Sequence, residues 1–139
     1  MPPKKPSGPL SQVIPVLTGP IVCDVAAREP TTGKWSLIGI FQNVWASKFP
    51  TTRPMTVYIR LADGEGRYDI NVKFVRTEDG AQIAEAGLGA EIASRLDSAD
   101  IAVPFPPLEF SGPGMYEFQV WVNSSFLGAI TVGARRLNG

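Results

Sequence analysis

Met115-Tyr116-Glu117-Phe118-Gln119-Val120-Trp121-Val122-Asn123-Ser124-Ser125-Phe126-Leu127-Gly128-Ala129-Ile130-Thr131-Val132 holds two runs in which apolar and other residues alternate with a period of two. Two is the period of a strand, whose successive side chains point to opposite faces. A three-residue loop at Asn123-Ser124-Ser125 predicts that Val122 pairs with Phe126, Phe118 with Ile130 and Tyr116 with Val132. Every large apolar side chain then shares one face. The same register sets Trp121 opposite Leu127, with Ala129 adjacent, on the other face.

Working outward, further strand-like segments occupy about 16–28, 34–41, 55–62, 66–76, 81–88, 99–105, 115–122 and 126–134. Turn clusters separate them: Pro30-Thr31-Thr32-Gly33, Pro50-Thr51-Thr52-Arg53-Pro54, Asp63-Gly64, Glu78-Asp79-Gly80 and Ser111-Gly112-Pro113-Gly114. Seven to eight strands at this spacing predict an all-β, antiparallel sandwich of immunoglobulin-like type. A two-residue turn at Asp63-Gly64 predicts a hairpin pairing Ile59 with Tyr68, Val57 with Ile70 and Met55 with Val72. Residues 90–98 fit one or two helical turns as well as a strand, because Ala, Glu and Leu favour helix and nine residues hold too few periods to decide. In the segment 34–41 Trp35, Leu37 and Phe41 fall on one face and Ile38 and Ile40 on the other, so both faces are expected to be covered.

The 139 residues make one domain of a size that buries about two thirds of its unfolded surface, with no staple required. Residues 1–12 form a proline-rich basic arm, expected to be extended or disordered, and 13–139 the sandwich. The 14 Gly and 13 Pro agree with short elements and many turns. No stretch is long and apolar enough to span a bilayer, and Pro15 and Pro20 interrupt the only segment resembling a secretion signal. A single cysteine, Cys23, forms no internal disulfide and is expected to turn inward from its strand, which suits a reducing, cytoplasmic location.

Thirteen basic and thirteen acidic residues cancel, but Lys4, Lys5, Arg135 and Arg136 lie near the ends, so the body between them is acidic. No basic stripe marks a nucleic-acid binder. Histidine is absent, which removes the commonest general base and metal ligand. Asp63 with Glu65, Glu78 with Asp79, and Asp97 with Asp100 are the remaining acidic pairs; turn chemistry accounts for them, and no single loop supplies the oxygens that Ca²⁺ takes. No catalytic residue, cofactor or metal ligand is assigned. Gly87-Leu88-Gly89 lacks the third glycine of a dinucleotide loop, and Asn123-Ser124-Ser125 fits a glycosylation sequon only as a turn fits it.

Cys23-Asp24, Gly33-Lys34 leading into Leu37-Ile38-Gly39-Ile40-Phe41, Phe49-Pro50, Gly66-Arg67-Tyr68, and Pro107-Leu108-Glu109-Phe110 followed by Pro113-Gly114-Met115-Tyr116-Glu117-Phe118 resemble a family of small bacterial β-sandwich proteins of unknown function, over roughly residues 20–134. The resemblance implies an immunoglobulin-like fold and transfers no site. Behind one motif stands a physical reason: a tyrosine entering a strand after Pro113-Gly114 can bond its hydroxyl to upstream backbone, as in the tyrosine corner of sandwich folds.

With catalysis unsupported, the expected function is a non-catalytic interaction or structural module, a subunit or accessory protein of a larger assembly that includes self-association. Trp121, Leu127 and Ala129 on the hairpin's outer face, with Lys4 and Lys5 of the arm, are its expected protein-contact residues, since exposed apolar patches mark partners. The alternatives are a small-ligand or carbohydrate module using Trp45, Trp121 and loop carboxylates, a virion surface or decoration protein and, last, a hydrolase.

Overall fold

Nine strands build the computed structural model, which describes residues 9–137. They are β1 (Val16–Arg28), β2 (Trp35–Ile40), β3 (Asn43–Ala46), β4 (Thr51–Ala62), β5 (Gly66–Arg76), β6 (Gln82–Ile92), β7 (Ala99–Phe110), β8 (Gly114–Val122) and β9 (Ser125–Arg136). One sheet runs β2-β1-β4-β7 and the other β3-β9-β8-β5-β6. All pairs are antiparallel except β3 with β9. The chain crosses from sheet to sheet at β2–β3, β3–β4, β4–β5, β6–β7 and β7–β8, and the two sheets form an immunoglobulin-like β-sandwich.

Alternation explains the core. Met55, Val57, Ile59 and Leu61 of β4 face Tyr68, Ile70, Val72 and Phe74 of β5 across the sandwich, all of them buried. Met55, Val57 and Ile59 were expected to pair side by side with Val72, Ile70 and Tyr68 through the Asp63-Gly64 turn, but β4 and β5 belong to opposite sheets. Alternation identifies which face is apolar; it does not say whether that face meets its complement beside it or across a core. Asp63 (φ 55°) and Gly66 (φ 110°) turn the chain between layers instead of closing a hairpin. Phe74 lies at the aromatic centre, stacked on Tyr116 at 5.5 Å between ring centroids and tilted against Phe118 at 4.8 Å, with Phe110 at 5.2 Å.

The β8–β9 hairpin has the expected register in its body, with Tyr116 opposite Val132 and Phe118 opposite Ile130. Its tip differs. Asn123 (φ 49°) and Ser124 (φ 68°) both adopt left-handed backbone and close a two-residue turn, so Val122 pairs with Ser125 and Trp121 with Phe126. A bulge between Val120 and Trp121 absorbs the one-residue difference. Leu127 is therefore the extra residue, not the partner of Trp121, and it packs against the core while Phe126 is 53% exposed.

The tyrosine after Pro113-Gly114 behaves as expected: the Tyr116 hydroxyl donates to the Gly112 carbonyl oxygen at 2.8 Å. Tyr68, also buried, donates to the Val13 carbonyl at 2.7 Å and accepts from the Glu65 amide at 2.9 Å. Ser11 joins this clasp, its amide donating to Arg67 O and its carbonyl accepting from Asn123 Nδ2. The expected extended arm is thus fastened to the sheet from Ser11 on; Lys4 and Lys5 lie outside the described residues. No helix forms at 90–98, where β6 continues to Ile92 and a turn follows.

Cys23 is fully buried, as expected, but not in the inter-sheet core. It pairs with Thr56, and Ile21 with Tyr58, on the opposite face from Val22 and Val57. Burial, then Asp24, pushes its thiol pKa up, so it stays a neutral side chain. The Trp35 ring lies 6.1 Å from that of Tyr58 on this outer face. Trp35 pairs with Arg28, seven residues beyond Ile21, about 23 Å along a straight strand. The end of the β1–β2 hairpin must therefore bend over its own sheet; within the hairpin Gly39 (φ 71°) leaves to the Asp24 carboxylate the space a Cβ would fill. Ile38 and Ile40, expected to be covered, face outward instead, 59% and 61% exposed.

Candidate functional site

Strand β3, which sequence reasoning missed, creates the surface with most potential for recognition. Its four residues alternate simply: Val44 and Ala46 are buried under the sandwich edge, and Asn43 and Trp45 point outward. Parallel pairing sets Asn43 beside Gly133 and Trp45 beside Arg135. Gly133 is required there, because a Cβ would collide with Asn43 Oδ1. Trp45 remains 51% exposed.

Three arginines, one from β4 and two from β9, fix the surroundings of this ring. Arg135 Nε donates to Asn43 Oδ1 at 3.0 Å, which lays its guanidinium 5.9 Å from the Trp45 ring centroid. Arg53 donates to Thr51 Oγ1 at 2.8 Å and Thr52 O at 2.9 Å, and reaches Trp45 O at 3.4 Å. Arg136 lies 5.5 Å from the Phe49 centroid and donates to Ser47 O. Lys48 is exposed in the same loop. Among the described residues none of these four cations makes an ion pair; the two salt bridges, Arg60–Asp100 and Arg76–Asp79, lie elsewhere.

Two open grooves flank Trp45. One, of about 370 Å³, has walls that include Ile40, Phe41, Arg53 and Pro54. The other, of about 550 Å³, includes Pro113, Met115, Arg135 and Arg136. A half-exposed indole between two grooves, beside arginines that make no ion pair and with Asp24 on one wall, is equipped to bind.

Trp121 occupies the far end of the same outer face. Its ring is 5.4 Å from Phe126, the Lys73 ammonium lies 4.4 Å above it, and its Nε1 donates to Gln119 Oε1 at 3.1 Å. Neighbours on its own sheet half cover it, and Phe126, which was not expected there, is the more exposed of the pair. Ala129 lies exposed on β9, and Leu127 is turned away toward the core. The structure thus separates the expected contact residues and replaces Leu127 by Phe126 at that end of the face.

The acidic pairs do not converge. Among the described residues no three His, Cys, Asp or Glu side chains come close enough to hold a metal ion. Asp100 is engaged by Arg60 at 2.6 and 3.1 Å, and that bond holds its carboxyl below the usual range. Arg76 likewise lowers Asp79 to about 2, and Glu29, bonded by Thr32 and Thr31 in the β1–β2 turn, also falls to about 2. Each acts as structural punctuation. No helix among the described residues is long and apolar enough to cross a membrane.

A family model described as a family of unknown function, DUF6941, matches residues 20–134. Among solved structures, an immunoglobulin-like protein from Pseudomonas aeruginosa is 13% identical, with 90% of this chain and 99% of that chain covered and a TM-score of 0.37. No curated protein matches the chain in sequence.

Proposed function

Since the chain belongs to DUF6941, a family whose description assigns no activity, we propose from its geometry that it is a non-catalytic contact module that docks a protein partner on the outer face of the five-stranded sheet. The observation that carries this reading is Trp45, half exposed between two grooves and framed by Arg53, Arg135 and Arg136, with Lys48 exposed in the loop that follows. Covering that ring is worth about 3 kcal/mol, on the scale of an interface hot spot. Trp121 and Phe126 supply a second anchor at the other end of the face, beside Ala129. Unpaired cations next to apolar walls match a partner segment with acidic residues among aliphatic ones, whereas four cations are a small footprint for nucleic acid. The missing histidine and the buried cysteine support the non-catalytic part of the reading, and the reduced Cys23 supports a cytoplasmic setting as a subunit or accessory protein.

A carbohydrate-binding role is the second reading, favoured only by the half-exposed ring itself, which would stack on a sugar. A photo-activatable residue at position 45, with position 109 on the far edge as control, separates the two in the native host. The contact module gives a single protein adduct at 45 and none at 109. Absence of a protein adduct at 45, with a tryptophan fluorescence change on adding host oligosaccharides, would replace it by the second reading.

A further inference from the structure

The sandwich has four sheet edges, and three are closed to further pairing. Edge β7 carries Pro104, Pro106 and Pro107, which have no N–H to donate. Edge β3 is four residues long, and Arg53 occupies the Trp45 carbonyl. Edge β6 presents the exposed Glu85 and Glu91. Edge β2, Trp35-Ser36-Leu37-Ile38-Gly39-Ile40, has neither charge nor proline.

The hydrogen-bond parity of β2 can be worked out. Glu29 N donates to Lys34 O, so antiparallel alternation makes Ala27 with Ser36 and Val25 with Ile38 the bonded pairs. The N–H and C=O groups of Trp35 and Leu37 therefore point away from β1, along the open edge. Beside that edge Val25, Ile38 and Ile40 are each more than half exposed, an aliphatic patch on the solvent face of the hairpin.

We propose that β2 pairs antiparallel with β2 of a second copy, about a two-fold axis at Leu37, joining the two four-stranded sheets into one of eight strands. The strand is self-complementary in the way an isologous contact requires. Leu37 meets its own mate as a bonded pair, so the free groups meet free groups. Ser36 meets Ile38 of the mate, which brings the two Ile38 side chains and the two Val25 side chains into one patch. Identical copies bring no like charges together along an uncharged strand, and the chain's net charge of zero adds no long-range repulsion. One groove beside Trp45 shares Gly39 and Ile40 with this hairpin, but Leu37 and Ile38 do not line it, so Ile38→Lys and Trp45→Glu read the two contacts separately.

Light scattering across a concentration series tests the contact, with expected growth from 15.0 kDa to twice that mass. Ile38→Lys, at an exposed position, weakens the dimer about 30-fold or more while the circular dichroism is unchanged. Ile14→Lys, equally exposed but remote, leaves it intact. Register is read by disulfides: mixed Ser36→Cys and Ile38→Cys chains oxidise to a linked heterodimer far faster than either chain alone, with buried Cys23 silent. A monomer up to about 1 mM, about a thousand-fold above a micromolar interface on the affinity scale, overturns the proposal. So does a dimer that survives Ile38→Lys, or equal cross-linking of the separate chains.

Discussion

Tyr68→Phe removes one oxygen atom from a fully buried ring and leaves the ring's packing in place. That oxygen donates to Val13 O at 2.7 Å and accepts from Glu65 N at 2.9 Å, so two well-formed bonds disappear together. A net value of about 0.5–1.5 kcal/mol for each gives a loss of about 1–3 kcal/mol. The outcome falls toward the lower half, because both bonds are only part-buried and water can reach the groups they free. For a domain of this length about 1–2 kcal/mol lowers the melting temperature by about 3–7 °C, and in urea the midpoint falls with an unchanged slope. The substitution also has a local signature. Ser11 N, bonded to Arg67 O, depends on the same clasp, so its hydrogen exchange accelerates more than that of the core amides of β5 and β8. An unchanged urea midpoint together with unchanged Ser11 exchange would refute the assignment of the hydroxyl as the fastener of the N-terminal segment.

Two further predictions concern the hairpin and the acid limb of stability. Gly39→Ala strains a left-handed backbone (φ 71°) and drives a methyl group into the Asp24 carboxylate, so it destabilises by about 1–3 kcal/mol; Asp24→Gly in the same chain recovers the steric part but not the backbone part, as urea titration of the single and double variants would show. Glu29 and Asp79 have carboxyls lowered to about 2 by their bonds to Thr32 and Arg76. Lowered groups stabilise the fold above their unfolded values near 4 and lose that contribution as pH falls toward 2, so stability declines across that window and Asp79→Asn flattens the decline, with carboxyl chemical shifts recording midpoints near 2.

The strand alternation in Tyr116–Val120 was legible because a buried face imposes period two on the residues themselves. The hairpin tip was not, because Asn123 and Ser124 tolerate left-handed backbone and a bulge at Val120–Trp121 restores the register that a longer loop would otherwise supply. For the same reason Met55–Leu61 and Tyr68–Phe74 showed their inner faces and hid their partners: facing across a core and pairing within a sheet leave one pattern. Strand β3 has no pattern of its own in four residues and exists through its parallel pairing with β9. Trp45 was visible as an aromatic residue in a turn-rich segment. Its setting was not, since Arg53, Arg135 and Arg136 converge only after β3 and β9 lie side by side, and no spacing in the chain announces that.

The central claim is that this domain acts by contact through the Trp45 end of its outer face, and Trp45→Glu tests it most directly. The side chain is half exposed and Val44 and Ala46 hold the strand down without it, so the variant keeps the sheet circular dichroism and the cooperative unfolding of the wild type. Sizing of the protein purified gently from its native host, as wild type and as Trp45→Glu, then gives the answer. The account predicts that the wild type elutes with a bound partner protein and that the folded variant elutes without it; a folded variant that retains the same partner at the same stoichiometry, or a wild type that carries none, would contradict it.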